Sequence, residues 1–274
     1  MSRARVAVVQ FPGVNCESES ALALERVGLE PEVFRWTRPA SDLKAFHAYV
    51  LPGGFSYQDR VRAGALAAKD PLLDALAEAA ESLKPVLGIC NGAQVLVEAG
   101  LVPGRGRVEL ALARNRMSGR EGYYSRWIYA RVEKSSCIFT RHLEPGALLP
   151  LPMAHGEGRF TSRTSGKLAA LAKAGQTPLR YASASGEIAR SFPDNPNGAQ
   201  ASIAAVCNAE GNVLAIMPHP ERAQQLGSVP RSIAGPWAAR RNSALAAAAP
   251  GVDVTDDGPG LALFAGLARH LAEA

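Results

Sequence analysis

Short apolar runs alternate with segments of helical spacing along the first hundred residues. The runs are rich in β-branched residues and are continuously apolar, which is typical of strands buried on both faces. They lie at 6–9, 32–36, 48–51 and 86–89. Helical spacing follows the first run from about Asn15, whose side chain is a candidate N-cap, to Gly28, and it recurs at 71–83. This order predicts a parallel sheet covered by helices on both faces.

The pattern changes after Pro103, where strands follow one another with few helices between them. The predicted strands are 108–112, 127–132, 203–207 and 213–217, and one helix is predicted at 166–174. The turn at 210–212 predicts that the last two strands pair as a hairpin. The fold class is therefore α/β, with a mixed, mainly parallel central sheet and helices on both faces.

The last part of the chain combines an irregular segment with a regular one. Residues 227–250 are rich in alanine, arginine and proline and show little periodicity, so we interpret them as an insertion or a flexible loop. A closing amphipathic helix is predicted at about 258–272. With 274 residues and no internal repeat, the chain is predicted to form a single domain over 1–274.

Composition excludes several classes of protein. With 47% hydrophobic and 20% charged residues the chain is not disordered, and no run approaches the roughly 18 apolar residues of a membrane span. The first apolar run is too short for a signal peptide, so we expect a cytoplasmic protein. The net charge is +5, and seven arginines lie between residues 105 and 131. No nucleic-acid motif accompanies them, and we expect neither a nucleic-acid nor a membrane partner.

Cys90 is the strongest candidate for a catalytic residue. It lies between Gly88 and Gly92, where a predicted strand runs directly into a helix. This is the arrangement of a nucleophile elbow with sulfur in place of oxygen, and the glycines leave room for the sharp turn. A helix N-terminus also favours a thiolate. Cys16, Cys137 and Cys207 lack this context, and we interpret them as ordinary residues.

A thiolate nucleophile needs a histidine, and the histidine needs an orienting carboxylate. Two His-x-Glu motifs offer both, at 155–157 and 219–221. Spacing alone does not choose between them, because residues i and i+2 of an extended chain point the same way. Context favours His219 with Glu221, since they follow a clean apolar strand and active sites of such sheets lie beyond the carboxyl ends of strands.

Backbone N–H groups near Cys90 could stabilise an oxyanion. The N–H of Asn91 is placed by the elbow, and the glycine pair Gly53-Gly54 ends another predicted strand at the same edge. Loss of one such donor typically lowers the rate by about 10²–10³. The sequence contains neither a phosphate-binding GxxxxGK[ST] loop nor a metal-ligand cluster, so we expect no cofactor in this chain.

These features together resemble the triad (class I) glutamine amidotransferases, which have a flavodoxin-like fold. Further stretches are similar to the glutaminase subunits of phosphoribosylformylglycinamidine synthase. They are FPGVNC at 11–16, PGGFSY at 52–57, RAGA at 62–65, GICNG at 88–92, AHGEGRF at 154–160, NPNG at 195–198 and MPHPER at 217–222. The resemblance covers residues 5 to about 226 and resumes at the closing helix.

The resemblance implies a role for each matching residue. Cys90 attacks the side-chain amide of glutamine, His219 transfers the proton to the leaving ammonia, and Glu221 orients His219. Gly54 and Asn91 supply oxyanion N–H groups, and Gln94 contacts the bound glutamine. The ammonia passes to a synthetase subunit, in a complex that also has a small accessory subunit. ATP and Mg are expected on the synthetase, which converts formylglycinamide ribonucleotide to its amidine in purine biosynthesis.

The chain departs from the family pattern at two places. Gln58 stands where the family usually has glycine, so a positive φ there would strain it. The segment 227–250 is longer than the family's usual connection.

Three alternatives stay open at this point. One is an amidotransferase subunit of another synthase, against which the stretch 154–160 argues. Another is a cysteine hydrolase or chaperone-like relative, which lacks the Pro-His-Pro-Glu loop. The last is a non-enzymatic module that binds anionic partners through the arginine-rich region.

Overall fold

A computed structural model describes residues 3–104, 106–249 and 252–273. Arg105, one of the seven arginines noted above, lies outside them. The strands of the described residues are β1 (Arg5–Gln10), β2 (Glu30–Arg35), β3 (Ala48–Leu51), β4 (Val86–Ile89), β5 (Ala111–Arg114), β6 (Tyr124–Val132), β7 (Leu148–His155), β8 (Glu157–Thr161), β9 (Leu179–Ala182), β10 (Ile203–Cys207) and β11 (Val213–Ile216). The α-helices are α1 (Glu17–Arg26), α2 (Leu72–Glu81), α3 (Asn91–Glu98), α4 (Lys167–Lys173), α5 (Pro236–Ala247) and α6 (Leu261–Glu273).

The main sheet has the strand order β2-β1-β3-β4-β11-β10-β9-β6-β7. The first five strands are parallel, and the remaining neighbours pair antiparallel, which confirms the predicted mixed, mainly parallel sheet. β10 and β11 form the predicted hairpin. Following the pairings across the sheet, β3, β4, β11 and β7 all end at the same edge.

The sequence pattern missed β7, β8 and β9. β7 contains Pro150 and Pro152, and proline within an apolar run argues against a strand. In the structure β7 is the outermost strand and pairs only with β6, so a missing N–H on its free side breaks no ladder hydrogen bond. β8 is not part of the main sheet, since it pairs with β5 in a separate two-stranded sheet.

The predicted helix cap at Asn15 is wrong. The helix begins at Glu17 with Cys16 at the N-cap position, and no side chain caps it. The backbone N–H groups of Asn15 and Cys16 both donate to the carbonyl oxygen of Gly53, at 3.2 Å each. These hydrogen bonds hold the start of α1 to the loop after β3. A side-chain cap at Asn15 would instead have bonded to the helix itself.

The segment 227–250 is not an unstructured loop, because it contains helix α5. Residues 250 and 251 lie outside the described part. The helix was missed because an arginine interrupts the apolar residues on its packing side. Arg241 is buried there, and its guanidinium donates to the carbonyl oxygens of Val229 and Pro230. Trp237 donates from Nε1 to the carbonyl oxygen of Leu148 at 2.9 Å, which ties α5 to β7.

Helix α6 confirms the predicted closing helix. Its buried residues Leu263, Phe264 and Leu267 belong to the main apolar core. Among the residues described, no helix combines the length and the apolar character that a membrane span needs.

Candidate active site

Cys90 lies at the sharp turn between β4 and α3. Its backbone has φ +50° and ψ −102°, a conformation that L-residues rarely adopt. Its N–H donates to the carbonyl oxygen of Ile216 at 2.8 Å, so the neighbouring strand β11 holds the turn. Its side chain is only 5% exposed. Strained backbone that is held by its surroundings in this way is typical of a functional residue.

The two glycines that flank Cys90 are required by close packing. A Cβ atom on Gly88 would lie 2.6 Å from the carbonyl oxygen of Gly92. A Cβ atom on Gly92 would collide with the carbonyl oxygen of Leu51, at the end of β3. The strand-to-helix turn can therefore pass this close to β3 only if both positions lack a side chain.

His219 and Glu221 form a buried pair at the end of β11. His219 Nδ1 lies 2.6 Å from Glu221 Oε1, and both residues are buried. The His219 N–H donates to the carbonyl oxygen of Pro152 at 2.7 Å, so β7 holds the histidine backbone. Since Nδ1 faces the carboxylate, Nε2 is left for a reacting group, and it has no hydrogen-bond partner in the described part of the chain.

The pKa of His219 lies well above its usual range. Burial opposes the charged imidazolium, but the charges of Glu221 and Cys90 and contacts with the Cys16 and Cys90 sulfurs outweigh it. The imidazolium is thus the favoured form of His219, beside a sulfur that becomes a nucleophile when it loses its proton.

His155, the rival histidine, lies at the end of β7 and has a different environment. Its Nδ1 is 3.2 Å from Asn115 Oδ1. Burial, together with the nearby charge of His219, lowers its pKa to about 3, so His155 is neutral at physiological pH. The structure therefore distinguishes the two His-x-Glu motifs, since the carboxylate pairs with the ring at 219–221.

Cys90 opens into a cavity of about 300 Å³. Its walls come from the loop after β3, from α3 and from the ends of β7 and β5. The lining residues are Gly54, Phe55, Asp59, Val61, Arg62, Ala63, Cys90, Gln94, Arg114, Tyr123, Ala154, His155, Gly156 and Glu157. Gly54 and Gln94, which the sequence singled out, thus share a cavity with Cys90, while His155 lines it without a carboxylate partner.

Asn91 connects the elbow to the loop after β3. Its side-chain oxygen accepts from the N–H of Ser56 at 3.0 Å, and its Nδ2 donates to Gln94 Oε1 at 2.9 Å and to Asp59 Oδ1 at 3.2 Å. Sequence reasoning gave Asn91 only a backbone role. As the first residue of α3, it also has an N–H that no helix carbonyl can accept.

The loop after β3 contains a run of left-handed residues. Tyr57, Gln58, Asp59 and Val61 have φ values of +52°, +60°, +51° and +73°. The position where the family usually has glycine therefore does require a positive φ, and Gln58 is strained there. The loop keeps this conformation through hydrogen bonds to Asn91 and through the Tyr57 N–H, which donates to the carbonyl oxygen of Pro12 at 2.7 Å.

Cys16 lies beside His219 and Glu221, which its sequence context did not indicate. Arg222 Nη2 donates to its sulfur at 3.0 Å. Ligand-type atoms of Cys16, His219 and Glu221 lie within 4.8 Å of one another, which makes them a possible metal-binding group. The imidazole and carboxylate of that group already bond each other, and the Arg222 guanidinium repels a cation.

Comparison with known proteins points to one family. The family model of the CobB/CobQ-like glutamine amidotransferase domain matches residues 3–245. Phosphoribosylformylglycinamidine synthase subunit PurQ of Methanothrix thermoacetophila is 46% identical over 234 residues, covering 83% of this chain and 89% of the relative. The PurQ subunit of Thermomicrobium roseum is 46% identical over 221 residues, covering 80% of this chain and 87% of the relative.

Two solved structures also resemble this chain. The structure of PurLQS from Thermotoga maritima matches with a TM-score of 0.71 at 31% identity, covering 98% of this chain and 100% of that chain. A glutamine amidotransferase from the same organism matches with a TM-score of 0.53 at 14% identity, covering all of both chains, and this likeness concerns the fold alone.

Proposed function

The chain belongs to the CobB/CobQ-like glutamine amidotransferase family, and from this premise we propose that Cys90, His219 and Glu221 hydrolyse glutamine. The relatives are PurQ subunits, and the chain acts as the glutaminase subunit of phosphoribosylformylglycinamidine synthase in purine biosynthesis. The strongest support for this triad is the buried pair of His219 and Glu221, in which Nδ1 lies 2.6 Å from Oε1. Beside this pair lies Cys90, whose backbone is strained at the elbow.

The first half of the reaction forms a thioester. The Cys90 thiolate attacks the side-chain carbonyl carbon of glutamine, and the N–H groups of Gly54 and Asn91 stabilise the oxyanion. The imidazolium of His219 donates its Nε2 proton to the leaving nitrogen, which departs as ammonia. Glu221 accepts a hydrogen bond from Nδ1 throughout, which keeps the ring in the tautomer that presents Nε2 to the reacting atoms.

The second half regenerates the enzyme. His219, now neutral, takes a proton from water, and the hydroxide attacks the thioester carbon. The C–S bond breaks and its electron pair returns to sulfur as the Cys90 thiolate, glutamate leaves as the acid, and the proton taken from water stays on His219 as the imidazolium. The balance is one glutamine and one water consumed for one glutamate and one ammonia.

The ammonia is used by a second subunit. The chain associates with the synthetase of the complex, as the PurQ relatives and the PurLQS structure indicate. We propose that ATP and Mg bind to that synthetase, that a small accessory subunit completes the complex, and that residues 1–274 act as one domain in the cytoplasm. Four free cysteines support a reducing compartment.

Replacement of the nucleophile tests the proposal. In the complex reconstituted with the synthetase and small subunits of the same organism, we expect Cys90→Ala to abolish glutamate release from glutamine. Amidine formation from added ammonia should continue, because it does not need the thiolate. Glutaminase activity of Cys90→Ala within tenfold of the wild type would refute the assigned nucleophile.

Cys207→Ala provides the matched control, since Cys207 is also buried but lies in β10, away from the elbow. We expect it to keep its glutaminase activity. Equal loss in both variants would mean that damage to the fold, and not removal of the nucleophile, explains the result.

A further inference from the structure

Cys16 is a second buried cysteine beside His219, and the mechanism described above does not use it. Its sulfur contacts the imidazole, as the sulfur of Cys90 does. A Cβ atom on Gly53 would lie 2.7 Å from His219 Cε1 and 3.1 Å from Cys16 Sγ, so the ring and the sulfur pack over the same glycine. Cys16 therefore limits the space in which the ring can turn.

Hydrogen bonds hold both the backbone and the side chain of Cys16. Its N–H donates to the carbonyl oxygen of Gly53 at 3.2 Å, and its carbonyl oxygen accepts from Ser20 Oγ at 2.7 Å. Its thiol donates to Asn15 Oδ1 at 3.3 Å. The sulfur consequently has a defined position against the histidine.

Arg222 holds the sulfur of Cys16 from the outer side of the site. Its Nη2 donates to Cys16 Sγ at 3.0 Å. Arg222 also lies 3.8 Å from the Glu19 carboxylate, but the two side chains are 39% and 40% exposed, so water screens this ion pair and it contributes little. The hydrogen bond to sulfur is therefore the contact by which Arg222 reaches the site.

The Glu221 carboxylate by itself leaves the ring of His219 one freedom of movement. A ring that is bonded at Nδ1 can still turn about that hydrogen bond, which would carry Nε2 away from the reacting atoms. Glu221 Oε2 has no hydrogen-bond partner in the part of the chain that the structure describes. A catalytic group works only when packing and further contacts hold it within roughly 0.5 Å and 10–20° of its productive geometry.

We propose that Cys16 is a positioning residue for His219, and that Arg222 acts on the ring through the sulfur of Cys16. The inference deepens the proposed function and rests on it, because it concerns the histidine that transfers the proton. The sulfur stops the ring from turning about its bond to Glu221, and Arg222 keeps the sulfur against the ring. Cys16 makes no bond to the substrate, so its loss should affect turnover and leave glutamine binding unchanged.

Steady-state glutamate release by the reconstituted complex tests the role of Cys16. Serine at position 16 keeps a polar atom, but oxygen is smaller than sulfur and lies closer to Cβ, so the contact with the ring is lost. We expect Cys16→Ser to lower kcat by about 10- to 100-fold, with KM for glutamine within about threefold of the wild type. A kcat within about twofold of the wild type in both Cys16→Ser and Cys16→Ala overturns the proposal, as does a loss that appears in KM instead.

Alkylation of Cys90 by iodoacetamide shows whether Cys16 acts through the histidine. The reaction needs the thiolate, which the His219 imidazolium favours, and it needs no glutamine. With the label on the Cys90 peptide measured by mass spectrometry, Cys16→Ser should slow alkylation at least about threefold when His219 is present. In a His219→Ala background it should have no further effect. Equal slowing in both backgrounds would show that damage to the fold is responsible, and it overturns the positioning role.

A double-mutant cycle tests the part that Arg222 plays. Arg222→Gln changes a partly exposed side chain and leaves the core intact, so it also covers the case in which the Cys16 variants fail to fold. We expect it to lower kcat on the order of tenfold, because it removes the charge-assisted hydrogen bond to sulfur. The variant that combines Arg222→Gln with Cys16→Ser should be no slower than Cys16→Ser, within about twofold. Losses that multiply in the double variant overturn the action of Arg222 through the sulfur.

Matched controls separate the possible failures. Cys207→Ser makes the same replacement at a buried cysteine in β10, and Glu19→Gln removes the screened ion pair of Arg222, and both should keep the wild-type kcat. Amidine formation from added ammonia should be equal in all variants, which reports that the complex assembles. If Cys90→Ala still hydrolyses glutamine, the proposed function and the positioning role both fail. If turnover needs Cys90 but the Cys16 variants keep the wild-type kcat, only the positioning role fails.

Discussion

At the scale of single residues, the charge state of His219 depends on one neighbouring carboxylate. Burial by itself would lower the pKa of this histidine, as it does for His155. Glu221 and the Cys90 sulfur reverse that effect for His219. The two histidines have similar sequence contexts, and what separates them is whether a carboxylate reaches the ring.

Glu221→Gln should therefore change both activity and the pH dependence of stability. Without the carboxylate, the imidazolium is no longer favoured, and we expect the glutaminase rate to fall by about 10²–10⁴. The folded wild type holds the His219 proton more tightly than the unfolded chain does. This contribution is full below about pH 6.5, the unfolded pKa, and is lost as pH rises through the raised folded pKa.

Denaturant unfolding between pH 6 and pH 9.5 measures this contribution. The wild type should lose stability across the range by more than Glu221→Gln does. Glu144→Gln, at an exposed loop position, is the control and should follow the wild type. Parallel stability curves for all three proteins would show that Glu221 does not set the charge state of His219.

At the scale of elements, a hydrogen bond from Trp237 joins helix α5 to the edge strand β7. β7 tolerates two prolines because its outer side pairs with no other strand, and it holds His219 through the carbonyl of Pro152. Helix α5 packs against a small apolar cluster of Leu226, Val229, Ile233 and Val254, and its Trp237 also packs against the main core. Trp237 is therefore a main contact of this helix, with the cluster and with β7.

Trp237→Ala should release α5 while leaving the sheet intact. It removes the hydrogen bond to Leu148 and part of the cluster, which we expect to destabilise the helix by about 2 kcal/mol. Hydrogen exchange should speed up in 236–247 and stay unchanged in β4 and β11. Leu245→Ala, exposed on the same helix, serves as the control. Equal protection of 236–247 in Trp237→Ala and the wild type would contradict this account.

At the scale of the whole molecule, the strand order assembles the site. β3, β4, β11 and β7 come from distant parts of the chain but end at one edge, where they bring together the loop after β3, Cys90, the His219–Glu221 pair and one wall of the cavity. Part of that edge is the loop of left-handed residues, whose strain makes its conformation depend on its contacts. We expect that contacts with a partner subunit would change the conformation of this loop.

We therefore expect weak glutaminase activity from the isolated chain. Addition of the synthetase and small subunits should raise kcat/KM for glutamine by at least about tenfold, because docking tightens a site that would otherwise release ammonia to solvent. Steady-state glutamate release with and without the partners measures the effect. Equal rates in both conditions would exclude a site that depends on docking.

The sequence alone determined the features that depend on local chemistry. Continuous apolar runs indicated the parallel sheet, and two glycines around Cys90 at a strand–helix junction indicated the elbow, because a sharp turn restricts the residues beside it. The family resemblance added that a positive φ at position 58 would strain Gln58, and the structure has that φ. The sequence did not indicate β7, whose prolines are acceptable only at an edge, or α5, whose packing side includes an arginine.

Only the tertiary structure decided the features that depend on distant residues. Both His-x-Glu motifs satisfy the same spacing. Sequence context and the resemblance favoured His219, but only folding shows which ring meets its carboxylate. Glu157 and Cys16 lie in stretches that the sequence marked, but the pattern gave neither of them a place beside Cys90 or His219. Strand order brings both of them, and Asp59, to the site. A local sequence pattern indicates the conformation of its own residues. The charge state, burial and pKa of a side chain depend on neighbours that are far away in the chain.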